Sequence, residues 1–139
     1  MNPEWYDRFI DEVRRFYPLS TKPRRNKLGD VVIGYNHPAF SAEVSEDFEN
    51  LLLVDVDLAI VLANKTFSNF NVTSSLRRAA LVHVAFFLGE NRLNKWQGFL
   101  DAVNSENWPR AALELVNSKF YKNDPAMGKQ LAERLLKRR

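Results

Sequence analysis

The chain has 139 residues, of which 45% are apolar and 27% are charged, the balance of one soluble globular domain with a core of its own. It contains no cysteine, which excludes disulfides and thiol chemistry. The net charge of +3 favours polyanionic partners such as nucleic acid, anionic lipid or cell wall, although a solvated surface explains it equally well. The N-terminus lacks the pattern of a signal peptide and the apolar stretches are too short to span a bilayer, so we expect synthesis in the cytoplasm and no membrane insertion.

The N-terminal part of the sequence predicts a helix followed by a loop and a short strand. Asn2 can cap the helix and Pro3 suits its first turn. The apolar residues of this helix recur at helical spacing, at Trp5, Phe9, Val13 and Phe16. Residues 18–30 are rich in proline, polar and basic residues and predict a loop. DVVIGYN (30–36) then predicts a strand that Pro38 closes, in a small sheet of one or two strands.

The remainder of the chain has a helical pattern. Ser45 is the expected cap of a helix that runs to about residue 64. Thr73 or Ser74 opens an almost wholly apolar helix, typical of the centre of a bundle, and Gly89 is expected to end it in a left-handed conformation. Three more helices are predicted, at about 93–104, 108–116 and 125–137.

These elements predict an α+β, mostly helical fold. We expect a single domain over residues 1–139. Within it, residues 1–44 would form a small lobe with the first helix and the strands, 45–64 a connecting helix, and 65–139 a helical lobe.

Few residues suggest chemistry by themselves. His37 and His83 are far apart, and neither cysteine nor an HExxH motif accompanies them, so we predict no metal site and no cofactor. His83, on an apolar helix, is expected to be a core or groove histidine. Glu12 follows the apolar stripe of the first helix, and a carboxyl group in a half-buried cleft can act as a general acid, although most helical glutamates only face solvent.

Several motifs in one order resemble those of a known family. The sequence over residues 48–125 is similar to phage-type (T-even phage-like) lysozymes, glycoside hydrolase family 24. The resemblance implies a lysozyme-like fold. Its motifs are FENLLLVDVDLA (48–59), RRAALVHVAFFLGE (77–90), Trp96, LDAV (100–103), NWPRAALEL (107–115) and NSKFYKNDP (117–125).

The same resemblance assigns roles to residues of the N-terminal part. Glu12 matches the family's catalytic acid, which protonates the glycosidic oxygen. VIGYNH (32–37) matches the family's strand motif, with His37 on its histidine and Asp55 on the aspartate that pairs with that histidine in a structural role.

The active-site motif is degenerate. Val32 stands where the family has a water-positioning threonine, and Asn26 where it has a second carboxylate. Together with His83, these two are the candidate substrate-binding residues. Asn36 replaces a glycine, and Met127 replaces an arginine. Glycoside cleavage normally uses two carboxyl groups, and Asp30 and Asp11 are the candidates for the missing second one. In lytic transglycosylases a lone glutamate suffices, because a sugar hydroxyl replaces water as the nucleophile.

Two functions remain open at this point. The first is a peptidoglycan-degrading muramidase or lytic transglycosylase, made in the host cytoplasm and acting on the periplasmic cell wall after release. The second is a catalytically impaired lysozyme fold that serves as a virion component, in contact with other phage proteins of a tail or baseplate, or as a wall-binding module. A nucleic-acid binder would rest on charge alone, and we do not expect that partner.

Overall fold

The computed structural model of the chain describes residues 4–40 and 47–137. Within them it contains seven α-helices and one three-stranded antiparallel sheet, so the predicted α+β, mostly helical fold is confirmed. The residues divide into two compact units, Met1–Leu58 and Ala59–Arg139. The predicted caps Asn2 and Ser45 and the predicted first-turn Pro3 lie outside the described residues. No helix in the described part of the chain is long and apolar enough to cross a membrane.

The first unit contains one helix, the sheet and the beginning of a second helix. Its elements are α1 (Glu4–Phe16), β1 (Ser20–Arg25), β2 (Val31–Gly34), β3 (His37–Pro38) and the start of α2 (Phe48–Thr66). Three of the four residues of the predicted apolar stripe, Trp5, Phe9 and Val13, are buried. Their spacing of four residues places them on one face of α1, which anchors the helix in the core.

The sheet corrects the prediction of a loop over residues 18–30 and of at most two strands. β1 pairs with β2 in antiparallel register, Arg25 opposite Val31, and β2 pairs with β3, Ile33 opposite His37. Pro38 therefore belongs to a strand instead of closing one. Because β1 is an edge strand with mostly exposed side chains, its lysine, arginines and proline match the composition of a loop, and only the pairing with β2 makes it a strand.

Helix α2 spans Phe48–Thr66, so it begins two residues after the start that a cap at Ser45 implies and ends two residues beyond the predicted end near 64. The side chain of Asp47 accepts a hydrogen bond from the backbone N–H of Asn50 at 3.0 Å, the contact that caps a helix N-terminus. The helix is continuous across the division between the two units after Leu58.

The second unit is built of helices joined by short connections. They are α3 (Ser75–Leu88), α4 (Glu90–Lys95), α5 (Gln97–Asn104), α6 (Trp108–Val116) and α7 (Pro125–Leu136). Side chains of Ser74, Asn107 and Asp124 cap α3, α6 and α7 by accepting backbone N–H groups. Helix α3 is buried over all of residues 80–85, as its apolar sequence predicted.

Gly89 ends α3, but its conformation differs from the expected left-handed stop. Its φ of 80° is positive, as predicted, whereas its ψ of 171° lies in the extended region that is almost exclusive to glycine. This geometry redirects the chain at once, so that α4 begins at the next residue. Glu90, the first residue of α4, forms an ion pair with Lys65 of α2 at 2.5 Å.

The helix predicted over residues 93–104 is two helices, α4 and α5, which are interrupted at Trp96. Trp96 has a ψ of 67°, outside the helical range. Its ring stacks on Phe99 with centroids 4.4 Å apart and meets Phe120 edge-on at 5.3 Å. Tertiary packing of this aromatic cluster thus accompanies the break, which the helical periodicity of the sequence does not reveal.

Two buried tyrosines offer a matched test of hydrogen bonding. The hydroxyl of Tyr121 is buried without a hydrogen-bond partner, whereas the hydroxyl of Tyr6 donates to Asp57 at 3.0 Å. We expect Tyr121→Phe to leave the free energy of unfolding unchanged or raise it by about 0.5–1 kcal/mol, because it removes an unsatisfied group. Tyr6→Phe should lower it by about 1 kcal/mol. Urea unfolding of both variants tests this, and equal losses would contradict it.

Candidate functional site

Glu12 is the one buried carboxylate among the residues whose side chains the structure describes. It is 7% exposed, whereas Asp11, the preceding residue on α1, is exposed. The helical rotation between the two residues explains the contrast, since Glu12 lies on the flank of the buried stripe that carries Phe9 and Val13. Carboxylates are rarely buried unless they are held by partners or serve a function, so Glu12 is the leading candidate for chemistry.

The helix that carries Glu12 is tied to α2 and to the sheet by one acidic side chain. Arg14 donates hydrogen bonds to Glu49 from two nitrogens, at 3.2 and 2.8 Å, and a third nitrogen contacts Asp11 at 3.0 Å. Tyr35 donates its hydroxyl to the other oxygen of Glu49 at 2.8 Å. The hydrogen bonds from Arg14 and then Tyr35 hold the pKa of Glu49 below its ordinary value.

A second link joins α1 to α2 nearly two helical turns before Glu12. The hydroxyl of Tyr6 donates to Asp57 of α2, and Tyr6 itself is 6% exposed. Burial, together with the hydrogen bond to the Asp57 carboxylate, raises the pKa of Tyr6 to about 12. The tyrosine therefore stays protonated and keeps donating at any pH at which the protein works.

His37 and Asp55, the pair that the family resemblance implies, lie in contact. His37 Nδ1 is 2.7 Å from Asp55 Oδ2, and the exposed fractions of the two side chains are 7% and 17%. The contact connects β3 to α2. It supports the architecture around Glu12 because it fixes the last strand of the sheet against the same helix that holds α1.

Asn26, at the position of the family's second carboxylate, organises the turn between β1 and β2. Its Oδ1 accepts the backbone N–H groups of Leu28 and Asp30 at 2.9 and 3.0 Å. Its Nδ2 donates to the side-chain oxygen of Asn36 at 2.8 Å. Asn36, where the family has glycine, keeps a positive φ of 70°, which asparagine tolerates. Both ends of the Asn26 amide thus have partners, its oxygen in the backbone of the turn and its nitrogen in the side chain of Asn36.

The other predicted substrate-binding residues lie in the core. Val32 is 2% exposed in β2 of the first unit, and His83 is fully buried on α3 of the second. Burial and the nearby positive charge of Arg134 lower the pKa of His83 to about 3, so its imidazole is neutral at neutral pH. Asp30, the candidate second carboxylate, is half-buried just before β2.

In the described part of the chain, no group of three or more histidine, aspartate or glutamate side chains is arranged to hold a metal ion. The site that the residues form is therefore a single buried carboxyl group on a helix. Three contacts to α2, through Glu49, Asp55 and Asp57, hold that helix and the sheet.

No model of a known protein family matches the chain, and no curated protein is similar enough to count as a match. Glu12, the contacts that hold its helix and the motifs of the sequence are therefore the features that bear on function.

Proposed function

We propose that the protein degrades bacterial peptidoglycan by cleaving its glycan strand, with Glu12 as the general acid. The observation that carries this proposal is the burial of Glu12, alone among the described carboxylates. The contact between His37 and Asp55 supports it further, because the resemblance to phage-type lysozymes assigns a pair to these positions.

In this reaction Glu12 donates a proton to the oxygen that joins two sugars, so that the leaving sugar departs as a neutral alcohol. The transition state carries positive charge on the remaining sugar ring. A carboxylate group held on a rigid helix suits this role because its position relative to the substrate is fixed before binding. The links of α1 to Glu49 and Asp57 provide that rigidity.

The nucleophile distinguishes two versions of the reaction. A muramidase needs a second carboxylate, for which Asp30 is the candidate at the start of β2. A lytic transglycosylase uses a hydroxyl of the substrate sugar, which then closes a ring and leaves no new reducing end. The uncharged amide of Asn26, engaged in the turn, favours the second version.

The test compares Glu12→Gln with Asp7→Asn, an exposed carboxylate on the same helix. We expect Glu12→Gln to slow the loss of turbidity of chloroform-treated Gram-negative cells at least about 100-fold, the usual contribution of a general acid. Asp7→Asn should retain nearly full activity, since Asp7 is exposed and is not a candidate for either catalytic carboxyl group. Full activity of Glu12→Gln would refute the proposal, and a count of new reducing ends separates the hydrolase from the transglycosylase.

A second function, a lysozyme-like fold without catalysis, is favoured by Val32. This buried side chain has no group with which to position water, unlike the threonine of the family. In that case the protein would be a virion component or a wall-binding module. Binding of the purified wild type to isolated cell walls without release of soluble fragments, and its co-purification with virions, would decide for this function. The enzyme would instead be made in the host cytoplasm and reach the periplasmic wall after release.

A further inference from the structure

The positive charge of the chain is concentrated in the sheet. Residues 18–40 contain four basic residues and one acidic residue, Asp30. The whole chain has 20 basic and 17 acidic residues, so sixteen of each remain outside this segment and cancel. This segment therefore has a net charge of +3, as large as that of the whole chain.

Three of these cations lie on β1, the edge strand, and none forms an ion pair with a described carboxylate. Arg24 donates to the carbonyl oxygen of Pro18 at 3.0 Å, and Arg25 donates to the carbonyl oxygen of Gly29 at 2.8 Å. Lys22 is exposed. Carbonyl oxygens orient the two guanidinium groups without neutralising them, so the strand presents fixed positive charge.

An exposed aromatic ring lies at one end of this basic strand. Arg25 is opposite Val31, whose carbonyl oxygen accepts the N–H of Ala39 at 3.1 Å, so these three residues form one row across the sheet. Phe40 follows Ala39 and is 86% exposed. The turn between β1 and β2, which contains Leu28, extends beyond the same row.

We propose that this end of the sheet docks the protein on an anionic phospholipid bilayer, with the exposed side chains of Lys22 and Arg25 facing the phosphate groups and Phe40 entering the headgroup layer. Basic residues next to an exposed aromatic side chain are the combination that binds such an interface without spanning it. Single-stranded nucleic acid fits this surface less well. Proteins bind it by stacking successive bases on several aromatic side chains, whereas this end of the sheet has one exposed aromatic ring, Phe40, and Leu28 in the turn.

Sedimentation with lipid vesicles tests the proposal and requires no catalytic activity, so its outcome is independent of the proposed function. The wild type should bind vesicles of phosphatidylcholine mixed with phosphatidylglycerol at low salt. It should bind pure phosphatidylcholine weakly, and added salt should release most of it.

Two double variants with the same net charge locate the surface. Lys22→Glu/Arg25→Glu should reduce the partition coefficient at least about tenfold, and Arg110→Glu/Lys129→Glu, on exposed positions of α6 and α7, less than about threefold. Replacing Arg25 also removes its hydrogen bond to Gly29 in the turn. The single variant Lys22→Glu therefore tests the effect of charge alone, because the Lys22 side chain makes no described contact. It should also weaken binding.

The aromatic contribution is measured separately. Phe40→Ser should weaken binding about fivefold and leave the remaining binding fully salt-sensitive. Equal losses in the two double variants, or no effect of Phe40→Ser, would overturn the proposal. If a single-stranded oligonucleotide binds more tightly than the vesicles and displaces the protein from them, the surface is a nucleic-acid site and the bilayer is the wrong partner.

Discussion

Gly34→Ala is expected to lower the free energy of unfolding by about 2–3 kcal/mol. Gly34 ends β2 with a φ of 65°, a conformation that costs about 1–2 kcal/mol for any residue with a Cβ. A Cβ at this position would also lie 2.7 Å from the ring of Phe48, so the ring must move from the start of α2. The two costs add because they have different physical origins, one in the backbone and one in packing.

Gly29→Ala is the control that separates these two contributions. Gly29 has a φ of 87°, but a Cβ there would meet no atom within 4 Å. It should therefore lose only the backbone part, about 1 kcal/mol. Chemical denaturation of both variants measures the difference. If Gly34→Ala and Gly29→Ala lose the same stability, the contact with Phe48 is of no energetic importance.

The stability of the protein should fall by about 2 kcal/mol between pH 7 and pH 5 because of His83. Burial lowers the pKa of His83 to about 3 in the folded state, whereas in the unfolded chain it is near the usual 6.5. Between these two values the unfolded state binds the extra proton. Stability is thus fully present above pH 6.5 and is lost as the pH falls toward 3.

Two measurements check this expectation. The first is an NMR titration of the histidine ring protons, which is simple to assign because the chain has only two histidines, His37 and His83. The His83 signal should not shift between pH 7.5 and pH 5, the range about the usual histidine pKa. His83→Gln should flatten the dependence of unfolding free energy on pH, whatever its effect on stability at pH 7. An unchanged slope in that variant would assign the pH dependence to other groups.

The parts of the fold that the sequence predicted are those encoded by neighbouring residues. Ser74 caps α3 and Gly89 ends it, and both signals lie within a turn of the helix they bound. The parts that it did not predict depend on distant residues. β1 becomes a strand through β2, and α4 and α5 separate where Trp96 stacks within an aromatic cluster.

The candidate site likewise has some residues that the sequence predicted and some contacts that depend on residues far apart in the chain. The family motif singled out Glu12, His37 and Asp55, and the last two are in contact. Nothing in the sequence pointed to the contacts of Arg14 and Tyr35 with Glu49, since Arg14 and Glu49 are 35 residues apart and their types are those of an ordinary surface. The burial of Val32 and the engagement of Asn26 in its turn also depend on three-dimensional packing.

The acidic residues of α2 determine when the first unit can be completed on the ribosome. Asp57 follows its tyrosine partner by 51 residues, and Asp55 follows His37 by 18. α1 and the sheet are therefore synthesised before these acceptors, and their contacts with α2 form only after α2 has been made. α6 and α7 are consecutive in the chain and pack as soon as both are made. The first unit consequently depends on contacts between residues farther apart in the chain than the pairing of α6 with α7, and we expect its native contacts to form later.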